Sequence, residues 1–199
     1  MTVEEVKPAK KIRLFIAINL PQGIKDRIED CRRKLASRLD ARSVRWTRSE
    51  QLHITLKFIG YLSEDSVPQI TDALNEACNG TGALRLNAQG LGCFPRVRSP
   101  RVLWVGIAGD VPPLLALQKR IDAGIVQWAE PEKREFKPHL TLARLKEPRP
   151  KELRAIAQFI ETNKAAHFGE WEARQVDLMQ SVLSPTGATY RCLASVALQ

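Results

Sequence analysis

Four cysteines are all that this sequence holds, at positions 31, 78, 93 and 192, and no two of them form a CxxC pair. That scatter suggests neither a zinc ribbon nor a disulfide framework and makes a reducing, cytoplasmic setting the expectation. Long apolar runs are missing too. The stretch Leu14 to Ile18 follows basic Lys10, Lys11 and Arg13, as the start of a secretory signal would. It is far too short to span a bilayer, Glu4 and Glu5 lie upstream, and Asn19, Leu20 and Pro21 stand where a small-residue cleavage site would be. It reads as a first, buried strand, and no membrane is expected among the partners. Acidic residues are in deficit, with 22 Asp+Glu against 31 Lys+Arg, a net charge of +9 and a pI near 9.7. Such a surface attracts anions, which makes nucleic acid a natural partner class without establishing it.

What is present fits one globular domain, 199 residues long and 44% hydrophobic, with two lobes sharing a core and residues 1–10 forming a flexible tail. The elements expected are a strand at Leu14–Ile18, a helix from Pro21, a short strand at Val44–Trp46 and a longer one at Leu52–Ile59. A helix starts at Ser63, strands follow at Leu84–Phe94 and Val102–Ile107, and a third helix runs from Pro112 and Pro113 to about Trp128. A strand at His139–Leu145, a helix at Lys151–Thr162 and a closing hairpin of Glu172–Leu183 with Thr189–Leu198 complete the series. The loop Pro95 to Arg101, with Arg96, Arg98 and Arg101, is a candidate RNA contact. An apolar strand, a proline-initiated helix and a histidine-bearing strand occur twice in the same order. Internal duplication into a pseudo-symmetric pair of lobes follows from that repeat.

Histidine is scarce, and two of the three sit in the same tetrapeptide, HxTL, at His53 and His139. With nine Thr and 23 Leu in the chain, composition alone puts xTL after a given histidine about once in two hundred cases. In a strand, His53 and Thr55 share one face and His139 and Thr141 repeat the arrangement, while the aliphatic residues between them anchor the strand from behind. Two imidazoles and two hydroxyls brought together about a pseudo-twofold axis suit a small anion such as phosphate. Hydrolysis of a cyclic phosphodiester needs a base to take a proton from water and an acid to protonate the departing ribose oxygen, roles that two histidines can divide. The threonine hydroxyls can donate to the non-bridging oxygens, and neither a metal nor another cofactor is called for. Phe94 and Trp46 are candidate stacking partners for a terminal base, and Lys57 has the parity to share the face of His53 and Thr55. His167 lacks the motif and reads as an ordinary surface or boundary residue.

These motifs resemble the two-histidine phosphoesterases, and within them the bacterial and archaeal RNA 2′,3′-cyclic phosphodiesterases once described as 2′-5′ RNA ligases. The resemblance covers nearly the whole chain: Arg13, Phe15, Ala17 and Pro21, then LHITLKFIG, CFP, PRVLWVG, FKPHLTLARL and a final SxLxPxGxxY. It implies a bilobal α+β fold in which antiparallel sheets form a central cleft and helices cover the outside. It also implies His53 as proton donor, His139 as proton acceptor, Thr55, Thr141 and Arg144 as phosphate ligands, and a 2′-phosphomonoester as product. The partner implied is RNA with a 2′,3′-cyclic phosphate end, tRNA fragments among the candidates, and no obligate protein partner is evident. Strict alternation from His139 sets Arg144 on the face of Leu140 and Leu142, so a bulge or strand end must re-aim it.

Three other readings compete. The same site run in reverse would join RNA ends through a 2′-5′ linkage, although bulk water favours hydrolysis. A noncatalytic RNA-binding module would hold phosphates through the basic loop, but arginine or lysine serves that purpose better than a mostly neutral imidazole. A zinc hydrolase needs a third ligand at metal spacing near either histidine, which the sequence does not offer.

Overall fold

The structure, a computed structural model, describes residues 10–185 and 187–199. Of the expected tail, residues 1–9 lie outside the described residues, and Lys10 is exposed and outside any regular element. The strands are β1 (Lys11–Asn19), β2 (Val44–Trp46), β3 (His53–Ser63), β4 (Leu84–Phe94), β5 (Val102–Gly109), β6 (His139–Leu145), β7 (His167–Ala173), β8 (Gln175–Ser184) and β9 (Gly187–Ala197). The helices are α1 (Gln22–Ala36), α2 (Val67–Cys78), α3 (Val111–Gly124) and α4 (Pro150–Thr162). All strand pairs are antiparallel, in the order β7-β4-β5-β6-β3-β1-β8-β9, with β2 also on β6. Read outward from the centre, one lobe is β3-β1-β8-β9 and the other is β6-β5-β4-β7.

The lobes meet at β3 and β6 through Ile54 opposite Leu140, both fully buried. Each lobe also lends the other its covering helix. Helix α1 leaves β1 of the first lobe and packs against β7 of the second, whereas α3 leaves β5 of the second and packs on β3 of the first. The apolar stripe of α1 (Ile24, Ile28, Cys31 and Leu35) is buried, and so is that of α3 (Leu114, Leu117 and Ile121). One hydrophobic core runs through both lobes. No helix among the described residues is long and apolar enough to cross a membrane.

Several boundaries differ from the sequence expectation: β3 runs past Ile59 to Ser63, and α3 ends at Gly124 rather than near Trp128. Ser63 caps a short 3-10 turn over Glu64–Ser66 by accepting from Asp65 N at 3.2 Å, and α2 begins only at Val67 with Pro68 in its first turn. The expected long strand Glu172–Leu183 is two strands broken at Arg174. Its first part, β7, pairs with β4 in the second lobe, and its remainder, β8, pairs with β1 in the first. Periodicity alone does not reveal that break, because a chain passing from one sheet edge to another keeps its alternation on both sides.

Candidate active site

Continued one residue each way, the antiparallel register at Ile54 and Leu140 sets His53 across from Thr141 and Thr55 across from His139. The two tetrapeptides are thus related by a local twofold axis, and their polar side chains share one face. Both imidazoles are oriented alike. His53 Nδ1 lies 2.7 Å from the Gln51 carbonyl, and His139 Nδ1 lies 2.6 Å from the Lys137 carbonyl. A carbonyl only accepts, so each Nδ1 carries the proton and each neutral ring keeps Nε2 as its acceptor. His53 Nε2 receives the Thr55 hydroxyl at 2.9 Å.

Both motifs end in a bulge. In the β1–β3 ladder, Ile16 pairs with Lys57 and Ala17 with Thr55, which leaves Leu56 as the extra residue. In the β5–β6 ladder, Leu103 pairs with Ala143 and Trp104 with Thr141, which leaves Leu142 extra. A bulge reverses the parity of everything after it. Arg144 is therefore turned to the cleft face, as a phosphate ligand there requires, and Phe58 is turned to the same face in the other lobe. Lys57 is turned the opposite way. Only 5% exposed, it meets Asp122 and the Glu130 carbonyl instead of the cleft, contrary to the expectation from strict alternation.

The cleft between the motifs encloses about 90 Å³, with His53, Thr55, Thr141 and Arg144 in its wall. Thr47, Gln51, Arg13 and Ser181 join them, and Arg13 Nη1 reaches Ser181 Oγ at 3.5 Å. Aromatic rings complete the His53 side. Phe15 is tilted against the imidazole with centroids 4.9 Å apart, and Tyr190 meets it edge-on at 5.4 Å. His139 has its own aromatic neighbour in Phe94, edge-on at 5.1 Å, and Phe94 in turn rests beside Trp104. Gly92 makes room for that indole, since a Cβ there would stand 2.2 Å from its ring.

Trp46 does not reach the cleft. It packs against the core beneath the Arg32 guanidinium, 5.1 Å from the ring centroid, because its neighbour Arg45 rather than Trp46 stands opposite Arg144 in the β2–β6 register. His167 is exposed, 3.6 Å from Glu170. The basic loop is exposed at Arg96, Arg98 and Arg101 and is tied beside the Arg144 end of β6 by Leu145 N donating to the Arg101 carbonyl at 2.8 Å.

Burial pushes the His53 imidazole down to about 4, and the charges of Lys25 and His139 add to that against the opposing bond to Gln51. Burial also lowers His139, with Arg144 contributing in the same direction. Both rings are neutral in the free cleft at pH 7. An anion seated between them favours protonation and raises both. No group of three or more His, Cys, Asp or Glu side chains that could hold a metal occurs among the described residues.

Sequence reasoning gave no role to Arg13, Phe15, Thr47, Gln51, Phe58, Ser181 or Tyr190. The alternation of Arg13, Phe15 and Ala17 in β1 carried a signal for the first two. Ser181 and Tyr190 open and close the SxLxPxGxxY stretch, which marked them by resemblance but gave no sign that Tyr190 meets His53.

Comparison with known proteins places this architecture. The family described as the 2′-5′ RNA ligase superfamily matches residues 20–183. A protein of Methanothermobacter thermautotrophicus named RNA 2′,3′-cyclic phosphodiesterase is 31% identical over 90% of this chain and 95% of its own. One of Aeropyrum pernix with the same name is 36% identical over 74% of this chain and 82% of its own. Among solved structures, TT0787 of Thermus thermophilus superposes with a TM-score of 0.76 at 27% identity, covering 94% of this chain and 98% of that one.

Proposed function

This chain belongs to the 2′-5′ RNA ligase superfamily, and from that premise we propose that it hydrolyses RNA 2′,3′-cyclic phosphate ends to 2′-phosphomonoesters by two-histidine acid–base catalysis. The observation that carries the reading is the pair of imidazoles, each with Nδ1 tied to the carbonyl two residues before it and Nε2 left as the acceptor. His139, kept neutral by burial and by Arg144, takes the proton from the attacking water. His53 acquires a proton when the anionic substrate arrives and delivers it to the departing ribose oxygen. The Thr55 hydroxyl turns from His53 to the phosphate, Thr141 donates from the opposite strand, and the Arg144 guanidinium offsets the charge that builds up on the non-bridging oxygens. Each proton movement thus has a side chain assigned to it without a metal ion.

The rest of the RNA, a tRNA fragment being one candidate, leaves the cleft toward Arg96, Arg98 and Arg101, whose charge holds phosphates without reading sequence. The test is a short RNA ending in a 2′,3′-cyclic phosphate, incubated in EDTA with wild type, His53→Ala and His139→Ala. Wild type alone is expected to yield a 2′-phosphate. No turnover, with equal RNA binding by all three proteins, would leave a binding module as the better reading.

A further inference from the structure

Lys57 has no part in the reaction just described, yet it is almost completely buried and its ammonium meets two acceptors. Its Nζ donates to Asp122 Oδ1 on α3 and, at 2.5 Å, to the Glu130 carbonyl. The Asp122 carboxylate in turn accepts from Glu132 N, 3.1 Å from Oδ2 and 3.3 Å from Oδ1. One turn earlier on α3, buried Gln118 donates to the carbonyl of the bulged Leu56 at 3.5 Å. A buried ion pair recovers its desolvation cost only when its remaining donors and acceptors are satisfied. Here the backbone of residues 130–132 provides that satisfaction.

Trp128 and Ala129 before that segment and Phe136 after it pack on the core, whereas residues 130–135 between them are exposed. From Ile125 to Pro138 there is no helix or strand, and Glu130, Glu132, Lys133, Arg134, Glu135 and Lys137 make it strongly charged. Phe136 packs on the core, and the next carbonyl, that of Lys137, fixes the His139 imidazole.

We propose that Lys57 and Asp122 are positioning residues for His139: they hold residues 130–132 against β3, so that the Lys137 carbonyl meets Nδ1 and Nε2 is kept as the acceptor. Lys57 stands on the strand of His53, so one ion pair sets the second histidine from the strand of the first. The proposal rests on the reading of His139 as a catalytic base.

The test replaces the pair by apolar side chains, Lys57→Met with Asp122→Leu, a change that buried ion pairs often tolerate without unfolding. Lys57→Met alone serves if the double variant does not fold. Steady-state turnover of the cyclic-phosphate RNA is read beside the ¹⁵N spectrum of the histidines recorded without substrate. The expected result is a fall in kcat of about 10–100-fold with KM nearly unchanged, as misplacement of a reacting group produces. In the same variant the His139 ring should populate both tautomers while His53 keeps one. A folded variant with wild-type kcat and a single His139 tautomer overturns the proposal, because a merely structural pair would lower Tm alone. If wild type itself does not turn over the RNA, the reading of the activity fails and the tautomer measurement alone decides the positioning claim.

Discussion

Ile54 and Leu140 face each other across the junction of the two lobes, and neither exposes any surface. Their side chains fill the core behind the cleft while their strand neighbours face into it, so packing at this pair fixes the separation of the two histidines. Truncating Ile54 or Leu140 to Ala should cost about 2–5 kcal/mol, the range for large-to-small changes at fully buried sites. Urea unfolding would show it as a lower midpoint with an unchanged slope.

The lowered imidazoles make a prediction for pH. A donor that titrates at about 4 in the free cleft is mostly deprotonated at neutrality. Since kcat/KM reports the free enzyme, it should decline about tenfold per pH unit above roughly 6.5. The profile of kcat should lie at higher pH, because the bound phosphate raises His53. A kcat/KM that stays level from pH 6.5 to 8.5 would rule out His53 as the donor. The same shift bears on stability. Folding disfavours the protonated ring, so the contribution is present above the ordinary value of 6.5 and is lost as pH falls toward 4.

Replacing Thr55 or Thr141 by Val keeps the β-branched shape and removes only the hydroxyl. Each change should lower kcat on the order of 10²-fold, as loss of one donor to a developing oxyanion does. Arg144→Lys retains the charge without the planar fork and should recover only part of what Arg144→Ala loses. In Arg144→Ala, an NMR titration should also find the His139 pKa raised, because a nearby positive charge that lowers it has gone.

Trp46→Leu is expected to leave the KM for RNA unchanged while lowering Tm, because the ring packs on the core under Arg32 rather than in the cleft. A rise in KM with Tm intact would return Trp46 to the binding surface.

Glu152 links α4 to the segment that leads into β2 and His53. Its carboxylate accepts from Arg149 N at 2.7 Å, Asp40 N at 2.8 Å and Ser43 Oγ at 3.1 Å, and these bonds, the one from Arg149 foremost, hold it below the usual carboxylate value. A lowered carboxyl stabilises the fold above the ordinary value of 4.5 and ceases to do so as pH falls through its folded value. Glu152→Gln should therefore lower Tm most near neutrality, with the gap to wild type closing in acid.

The chain announces much of this by local means. Alternation at HITL and HLTL, the prolines that open helices and the repeat of strand, helix and motif are short-range signals, and each appears in the fold at the expected place. Phase is what local signals do not carry. One extra residue at Leu56 sends Lys57 to α3 and Phe58 to the cleft, and one at Leu142 brings Arg144 round to the face of His139. A bulge is settled by how a strand matches its neighbours, here β1 and β5, which come from distant parts of the chain. The break at Arg174 and the meeting of Tyr190 with His53 have the same origin.

The sequence by itself singled out two histidines and two threonines as candidates and determined that they come as a pair, because tetrapeptide identity and strand periodicity are written locally. Only the tertiary structure decided which neighbours face them, because the side a residue takes after a bulge depends on partners that local periodicity does not record.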